Sequence, residues 1–490
     1  MMVLNNKILF HKLINICGSK NVSNKIEILE KYSKDMSFLQ GTLPNLVVWP
    51  FKTKQIVKIL ELANSMNFSV IPVSSNSILR HHGDTIPRKE NSIIIDLSKM
   101  KKVISIDKKN RVVMIEPGVT FEELIPKLRK EGLRLLLPLY PKNTKSVLTT
   151  ALEKEPIIIP RYHWDSSDPL LCTEVVFGTG DLFRTGTAAS PGTIKQQKKS
   201  GQAHVNPMGP TQFSPFRLLQ GAQGSLGIVT WATLKLEYSP TIQKVYHFHS
   251  KSISELLDFQ YELLKYRLCD ELFILNNLNL ACLLNQEPSE IKLLTKRLDK
   301  WNLIYVLSGR GKLAQDKVSY LEADINDILK EKRFSILKSD NLIEEKSILK
   351  ILNEADSNPW RLRLKGAYQD IFFLSSFEKI SIFTNLVEEQ LPFDIGIYVQ
   401  PINQGTSYHC EFDIYYDPND IKNLDTFKDK FLEICNQLIQ QGAFFNRPYG
   451  LLANEIYNHH NEETVIALKK VKKIFDPNNI LNPGVLCFDN

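Results

Sequence analysis

At 490 residues and 43% hydrophobic content, the chain is too long for one core and predicts two or three packed domains. Its net charge of +7 comes from lysines spread among acidic residues, which argues against a nucleic-acid-binding protein and suits docking on an acidic partner. Seven scattered cysteines without a C-x-x-C pair predict a reducing compartment and no iron–sulfur cluster. With no long apolar run, we expect a cytoplasmic globular protein without a transmembrane segment.

The first elements are predicted as short helices followed by a β-α-β unit. Residues 45–49 form a strand that ends at Pro50, and Thr53 is the expected N-cap of a helix that runs through Met66. Residues 69–73 are predicted as the second strand. A unit of this length implies a parallel pair joined by a right-handed crossover.

Two further strands are predicted at residues 92–97 and 111–116, separated by a charged turn. Thr120 with Glu123 three residues later forms a capping box, which starts a helix through Lys130. Residues 173–186 are predicted as a hairpin with Gly180-Asp181 at its tip. Residues 187–212 are polar and are expected to form a loop over the mouth of a site.

The most informative stretch has a glycine at every third position and runs straight into an apolar strand. Gly221, Gly224 and Gly227 lead into Ile228 and Val229. Because glycine has no Cβ, such a loop lets backbone N–H groups approach an anion such as a pyrophosphate. The same spacing also fits a plain turn before a strand. Alternating side chains beyond the loop predict a half-buried strand.

Beyond residue 240 the pattern is α+β up to about residue 435. A helical pattern at 253–264 is followed by strand patterns at 303–307 and 395–399. The last helix, 462–475, is expected to stop before Pro477.

Three motifs resemble the signatures of FAD-linked oxidoreductases of the vanillyl-alcohol oxidase / p-cresol methylhydroxylase superfamily. They are the 221–230 stretch, Pro117-Gly118-Val119-Thr120 and the closing stretch 475–484, in the order and at the spacing of that family. The resemblance implies an α+β fold with a p-cresol methylhydroxylase (PCMH)-type FAD-binding domain of two α/β subdomains and an α+β cap domain. The implied boundaries are 1–240 for the FAD-binding domain, 241–435 for the cap (substrate) domain, and 436–490 for a segment returning to the FAD domain.

The resemblance also implies which residues bind FAD. Segments 74–84 and 146–152 replace two loops that are rich in glycine in the family, and here Ser and Asn side chains with the cation of Arg80 could bind phosphate instead. His81 or His82 could carry a covalent flavin link, or could make an electrostatic contact with phosphate. The implied cofactor-binding residues are Ser74, Ser75, Asn76, Ser77, His82, Gly83, Pro117, Gly118, Gly221, Gly224, Ser225, Gly227, Ile228, Val229 and Asn482.

Three residues are expected to be catalytic. Arg447 resembles an arginine of the phenol-oxidising branch that stabilises the anionic reduced flavin, and Tyr449 is placed to contact a phenolic or carboxylate oxygen. His409 lies where hydroxy-acid dehydrogenases of the superfamily have the last histidine of a metal-binding motif, but the earlier histidine is replaced by Ile402. We therefore expect no metal. His409 is either a structural histidine on a strand or a group for substrate contact or proton transfer.

The function implied is an FAD-dependent dehydrogenase that abstracts hydride from a carbon activated by a hydroxyl group. Its substrate is either a 2-hydroxy acid of the glycolate or D-lactate type or a para-alkylphenol of the p-cresol type. Segment 360–368 resembles a motif of the phenol branch and fits an ordinary amphipathic segment equally well. Electrons are expected to pass to a separate iron–sulfur or cytochrome protein, or to oxygen, and a homo- or hetero-oligomer is possible. The alternative is a non-catalytic or flavin-poor subunit of a larger redox complex.

Overall fold

The computed structural model describes residues 2–75, 80–160, 168–200, 216–338 and 343–488. These residues form three β-sheets with helices packed against them, which confirms the predicted α+β class. Within the same ranges, no helix combines the length and the apolar character needed to cross a membrane.

The first sheet has the order β1-β2-β4-β3. Its strands are β1 Val22–Ser23, β2 Leu46–Val48, β3 Ser69–Val73 and β4 Ser92–Asp96. Strands β2 and β3 are both parallel to β4, which lies between them, so the predicted parallel arrangement is right but the two strands are not neighbours. Helices Met2–Cys17 and Thr53–Met66 share its apolar core.

The predicted N-cap of the second of these helices is wrong. Thr53 is its first helical residue, and the N-cap position belongs to Lys52, which makes no side-chain capping bond. The Thr53 hydroxyl instead donates to Glu174 Oε1 over 3.2 Å. A tertiary partner has replaced the local hydrogen bond that the sequence suggested.

The second sheet has the order β5-β6-β10-β8-β9, and β7 also pairs with β10. Its strands are β5 Val103–Asp107, β6 Val112–Ile115, β7 Leu133–Leu135, β8 Leu170–Phe177, β9 Leu182–Arg184 and β10 Gly227–Tyr238. The β8–β9 hairpin and the Thr120 capping box are confirmed. The predicted charged turn between residues 97 and 111 contains strand β5, which the polar composition concealed.

Strand β10 is buried on both faces from Ile228 to Leu234, so the half-buried prediction is wrong. It lies at the centre of its sheet between β6 and β8. Ile228 packs into the core of the first sheet, whereas Val229 packs with the helix Phe121–Lys130. The alternation in the sequence shows only at Lys235 and Glu237, near the end of the strand.

The third sheet is antiparallel throughout its described strands, with the order β14-β11-β13-β12-β16-β17-β15. The strands are β11 Ile242–Ser250, β12 Leu272–Asn276, β13 Trp301–Gly309, β14 Leu337–Lys338, β15 Ala367–Ser375, β16 Asp394–Ile402 and β17 Ser407–Tyr416. Separate apolar cores cover its two faces. This sheet supplies one wall of the site described below.

The remaining elements are helical, and the helix predicted at 462–475 is confirmed. The α-helices are Met2–Cys17, Ile26–Ser33, Thr53–Met66, Phe121–Lys130, Val147–Leu152, Ile194–Lys199, Phe216–Leu219, Ile253–Lys265, Asn277–Leu284, Pro288–Arg297, Ala314–Lys332, Glu345–Asn353, Ile380–Gln390, Ile421–Gln440, Gly450–Asn458 and Glu462–Phe475. Short 3₁₀ turns span Ser19–Asn21, Leu97–Lys99, Gly186–Ala189, Trp360–Leu362, Phe377–Lys379 and Asn403–Gly405.

The end of the chain packs against the first sheet. Leu481 forms a parallel bridge with Val70, and the buried Lys472 Nζ donates to the carbonyls of Ser225 and Leu481. These contacts fix the segment after the last helix beside the 221–227 loop.

Candidate active site

Two cavities adjoin each other: the main cavity lies between the first two sheets and the third, and the narrow cavity lies between the first sheet and the second. The main cavity has an open volume of about 1410 Å³ and reaches the cap strands at Tyr368, Asp370 and Glu411. The narrow cavity, of about 760 Å³, is lined by residues on the 221–227 loop, by Pro117 and by Tyr449. Both are lined by Val73, Ser74, Asp84, Thr85, Thr149 and Glu153. A long ligand can therefore extend from one cavity into the other.

Glycine is required at two positions of the 221–227 loop. Gly224 has φ +69°, and a Cβ there would lie 2.3 Å from Pro72 Cγ. A Cβ on Gly227 would lie 2.5 Å from Val175 Cγ2. Gly221 also has a positive φ, of 73°, but its Cβ would meet nothing within 4 Å. The loop therefore brings bare backbone to the surface of the narrow cavity.

The opposite wall is built from hydroxyl groups. The Ser74 and Thr149 hydroxyls share a short hydrogen bond, and the Ser146 N–H donates to Ser75 Oγ over 2.9 Å. Ser146 also caps the helix Val147–Leu152 by accepting from the Thr149 N–H. The two glycine-poor segments are thus joined to each other by side chains. Of the predicted cofactor-binding residues, Asn76 and Ser77 lie outside the described residues.

Three predicted cofactor-binding residues point into the protein rather than into a cavity. The Gly83 N–H donates to Asp35 Oδ2, and the buried Ser225 hydroxyl donates to the Ala222 carbonyl. A Cβ on Gly118 would press against the carbonyls of residues 97, 98 and 100. In contrast, seven of the predicted cofactor-binding residues line the narrow cavity: Ser74, Pro117, Gly221, Gly224, Gly227, Ile228 and Val229.

Some of the buried polar atoms that lack a hydrogen-bond partner among the described residues belong to residues at the two cavities. They include Gln223 Oε1, Arg447 Nε and the hydroxyl of Tyr449, each belonging to a lining residue. Asn482 donates to the carbonyls of Asp84 and Gln223, and its Oδ1 is also unpartnered. Since buried polar groups are normally satisfied, these atoms indicate a polar ligand.

Strand β15 carries site residues that the sequence analysis missed. Tyr368, Asp370 and Phe372 line the main cavity, whereas Ile371 and Phe373 pack into the core on the opposite face. Polar and aromatic residues at every second position of a strand are the signal that could have identified this wall.

Arg447 is a buried cation in the wall of the main cavity. Its Nη1 donates to the Glu153 carbonyl over 3.0 Å, and its guanidinium lies 4.4 Å from the centre of the Phe372 ring. No carboxylate of the described residues lies within ion-pair distance of Arg447. Tyr449 is buried nearby and stacks on His82 at 4.3 Å between ring centres.

His409 lies behind the cavity wall and does not line the cavity. Its Nε2 is 2.8 Å from Glu411 Oε2, and Glu411, which does line the cavity, also accepts a short hydrogen bond from Arg361. Burial lowers the pKa of His409, against the opposing effect of Glu411. Burial alone would raise the pKa of Glu411, but Arg361 and His409 lower it to about 2. The pair is thus a neutral imidazole and a carboxylate at neutral pH.

A second acidic side chain, that of Glu153, lies where the two cavities meet. Lys145 Nζ pairs with Glu153 at 2.7 Å and with Glu155. Burial raises the pKa of Glu153 to about 7, with Lys145 opposing this shift and Glu155 adding to it.

His81 and His82, in the wall of the main cavity, both contact the carboxylate of Asp370. His81 Nε2 and His82 Nε2 lie 3.4 and 3.3 Å from Asp370 Oδ2. The Tyr368 hydroxyl lies 3.0 Å from His81 Nε2. The loop that was expected to hold phosphate thus ends against the cap.

Two segments of the chain that contribute to this site match known protein families. Residues 44–152 match the FAD binding domain family, and residues 450–486 match the C-terminal domain of FAD linked oxidases. The chain is 23% identical to glycolate oxidase subunit GlcD of Bacillus subtilis (strain 168), covering 96% of this chain and 95% of that protein. It is 24% identical to D-lactate dehydrogenase of Anaerostipes hadrus, covering 94% of both.

A solved structure shares the fold over nearly the whole length. The crystal structure of p-cresol methylhydroxylase with substrate bound superposes with a TM-score of 0.82 at 19% identity, covering 99% of this chain and 97% of that one. The fold is therefore PCMH-like, and with the two matched domains it defines an FAD-dependent oxidoreductase. The chain therefore carries the FAD binding domain and the C-terminal domain of FAD linked oxidases within a p-cresol methylhydroxylase-like fold.

The narrow cavity fits FAD, the cofactor of this class. Its backbone wall at Gly224 and Gly227 permits close approach of a ligand, and its hydroxyl wall at Ser74 and Thr149 offers donors and acceptors. The unpartnered oxygen of Gln223 supplies a further acceptor. These residues would hold the cofactor between the two walls.

Proposed function

We propose that the protein is an FAD-dependent dehydrogenase of 2-hydroxy acids of the glycolate or D-lactate type. The buried cation of Arg447 carries this proposal, because no carboxylate of the described residues pairs with it. A substrate carboxylate, or negative charge that develops on the reduced cofactor, would complete its electrostatic environment. The two relatives that cover nearly the whole chain support the same substrate class.

The residues around the two cavities would have different roles in the reaction. When bound, FAD accepts the hydride that leaves the hydroxyl-bearing carbon. Arg447 fixes an anionic group, and the unpartnered hydroxyl of Tyr449 donates to an oxygen of the substrate or cofactor. His409 does not line the cavity, so it would act by holding the carboxylate of Glu411 in position at the cavity wall.

Anaerobic reduction of the bound flavin tests the proposal. Glycolate and the two enantiomers of lactate are each mixed with the purified protein, and p-cresol and 4-ethylphenol serve as the competing class. Bleaching of the flavin colour by one hydroxy acid and by neither phenol is the expected result. Bleaching by a phenol alone would contradict it.

Oxidation of a para-alkylphenol is the second candidate function, and the aromatic lining of the main cavity favours it. Trp360, Tyr398 and Phe372 line that cavity, and flat rings pack well against a phenol. The solved structure of p-cresol methylhydroxylase has the same fold. The panel of substrates above separates the two functions directly.

We further propose that electrons leave to a separate iron–sulfur or cytochrome protein. One relative is named as a subunit of glycolate oxidase, which supports a partner of this kind. The alternative, a non-catalytic or flavin-poor subunit, is motivated by the scarcity of glycine in segments 74–84 and 146–152. The flavin-to-protein ratio after reconstitution with FAD separates a flavin enzyme from a flavin-poor subunit, because a ratio near zero contradicts the enzyme proposal.

A further inference from the structure

We propose that His81, His82 and Asp370 form a binding site for a divalent transition-metal ion such as Zn²⁺ on the wall of the main cavity. The site differs from the motif around residues 402 and 409 on which the expectation of no metal was based. It does not depend on the identity of the substrate. His82 would then act as a metal ligand rather than as a contact to the cofactor.

The first argument is chemical. Two imidazoles and one carboxylate are the ligand set that Zn²⁺ and other first-row divalent ions take in sites with an open position. The three side chains offer ligand atoms that all lie within 4.8 Å of one another. They come from two segments far apart in sequence, since His81 and His82 lie between β3 and β4 of the first sheet and Asp370 lies on β15.

The second argument is the distance between the ligand atoms. His81 Nε2 and His82 Nε2 lie 3.4 and 3.3 Å from Asp370 Oδ2, longer than an ordinary hydrogen bond. With metal–ligand bonds of about 2.0–2.1 Å, two ligands of a tetrahedral ion lie about 3.3–3.4 Å apart. The spacing therefore matches an edge of a coordination tetrahedron.

Two other histidine–carboxylate pairs of this chain provide an internal comparison. His409 Nε2 lies 2.8 Å from Glu411 Oε2, and His249 Nδ1 lies 2.7 Å from Asp299 Oδ2. Both are ordinary hydrogen bonds in which one histidine faces one carboxylate. Around Asp370 two histidines face the same oxygen, and both distances are longer.

The third argument is the surroundings. All three side chains are largely but not fully buried, with exposed fractions of 18%, 17% and 12%, so an ion can reach them. Of the cations in the same cavity wall, Lys145 and Arg361 are each paired with two carboxylates, which limits their repulsion of a metal ion, whereas Arg447 is not so paired among the described residues. The Tyr368 hydroxyl, 3.0 Å from His81 Nε2, lies close enough to become a further ligand or to hold a metal-bound water.

Metal content and X-ray absorption test the site. The full-length protein, purified without a polyhistidine tag, is stripped with a chelator, incubated with Zn²⁺ and passed over a desalting column. We expect about one Zn²⁺ per chain by mass spectrometry, and Zn K-edge spectra with imidazole nitrogen and oxygen scattering and no sulfur. Wild-type protein that retains no Zn²⁺, or a spectrum dominated by sulfur, would overturn the proposal.

Two matched substitutions test whether the ion binds at Asp370. Asp370→Ala removes the shared carboxylate and should weaken Zn²⁺ binding at least about 100-fold in a competition titration, since loss even of an outer-shell partner costs 10–100-fold. Asp299→Ala removes a carboxylate from an ordinary histidine pair and should leave binding unchanged. Equal binding by the two variants would overturn the proposal. If Asp370→Ala does not fold, His81→Gln is measured against His249→Gln under the same criteria.

Discussion

On one wall of the narrow cavity the 221–227 loop exposes backbone, whereas on the other wall Ser74 and Thr149 present hydroxyl groups. The backbone wall is fixed by steric necessity, because a side chain at Gly224 has no space beside Pro72. The hydroxyl wall is fixed by hydrogen bonds that other side chains could replace. The narrow cavity therefore combines a wall in which Gly224 and Gly227 leave no space for a side chain with a wall whose hydrogen bonds other side chains could make.

The largest expected effect tests the backbone wall. Gly224→Ala combines a positive φ with a clash and should lower the free energy of unfolding by about 3 kcal/mol, with loss of bound flavin. Gly221→Ala shares the positive φ but meets no atom, so it should cost only about 1 kcal/mol. Urea unfolding and the flavin-to-protein ratio measure both. Equal losses in the two variants would show that the contact with Pro72 is unimportant.

The next effect concerns charge in the main cavity. Arg447→Met removes the buried cation and should lower the rate of substrate-dependent flavin reduction by about 10²-fold, the loss typical of one electrostatic catalytic group. Arg447→Lys keeps the charge and should recover part of that rate. Stopped-flow absorbance under anaerobic conditions gives the rates. A rate unchanged in Arg447→Met would remove Arg447 from the proposed mechanism.

A smaller effect is expected on the hydroxyl wall. Ser74→Ala should raise the dissociation constant of FAD about 5-fold, because one hydrogen bond contributes about 1 kcal/mol. Thr149→Val should do the same, and the double variant should lose less than the sum because the two hydroxyls bond each other. Titration of the flavin-free protein measures the constants, with the exposed Ser65→Ala as control. An unchanged constant would mean that this wall does not bind FAD.

The smallest expected effect is a pH dependence of stability in the third sheet, away from both walls of the narrow cavity. His247 on β11 bonds Asn302, and burial lowers its pKa to about 4. Because this folded-state pKa lies below the unfolded value of about 6.5, its contribution to stability is complete above that pH and is lost as pH falls towards 4. Between pH 7 and pH 5.5 we expect a loss of about 1 kcal/mol. The same loss in His247→Gln would assign the acid sensitivity to other groups.

Much of the fold could be predicted from local patterns. The capping box at Thr120, the β8–β9 hairpin and the last helix were identified because their signals lie within a few residues of one another. Strand β5 was missed because its side chains are polar or only partly buried. The N-cap at Thr53 was wrong because Glu174, far away in sequence, takes its hydroxyl.

The site was harder to predict than the fold. The sequence pointed to Arg447 and Tyr449, and the structure brings their side chains to the cavities. The alternation along β15 puts Asp370 on a polar and aromatic face, but only the packing of the third sheet decides that Asp370 and Glu411 line the main cavity. His409 was selected by its position in a motif, yet it reaches the cavity only through Glu411. Whether these residues act as proposed stays a prediction.

The sequence by itself determined the class of protein through its resemblance to a known family, because the glycine stretch, the Pro117-Gly118 motif and the closing motif are short runs of residues that can be read without the fold. FAD as cofactor and the α+β fold follow from those motifs and agree with the matched domains and structure. Only the tertiary structure decided which side chains meet at the cavities, since β15 reaches His81 and His82 through long-range packing. The grouping of His81, His82 and Asp370 arises in this way, from residues almost 290 positions apart in the chain.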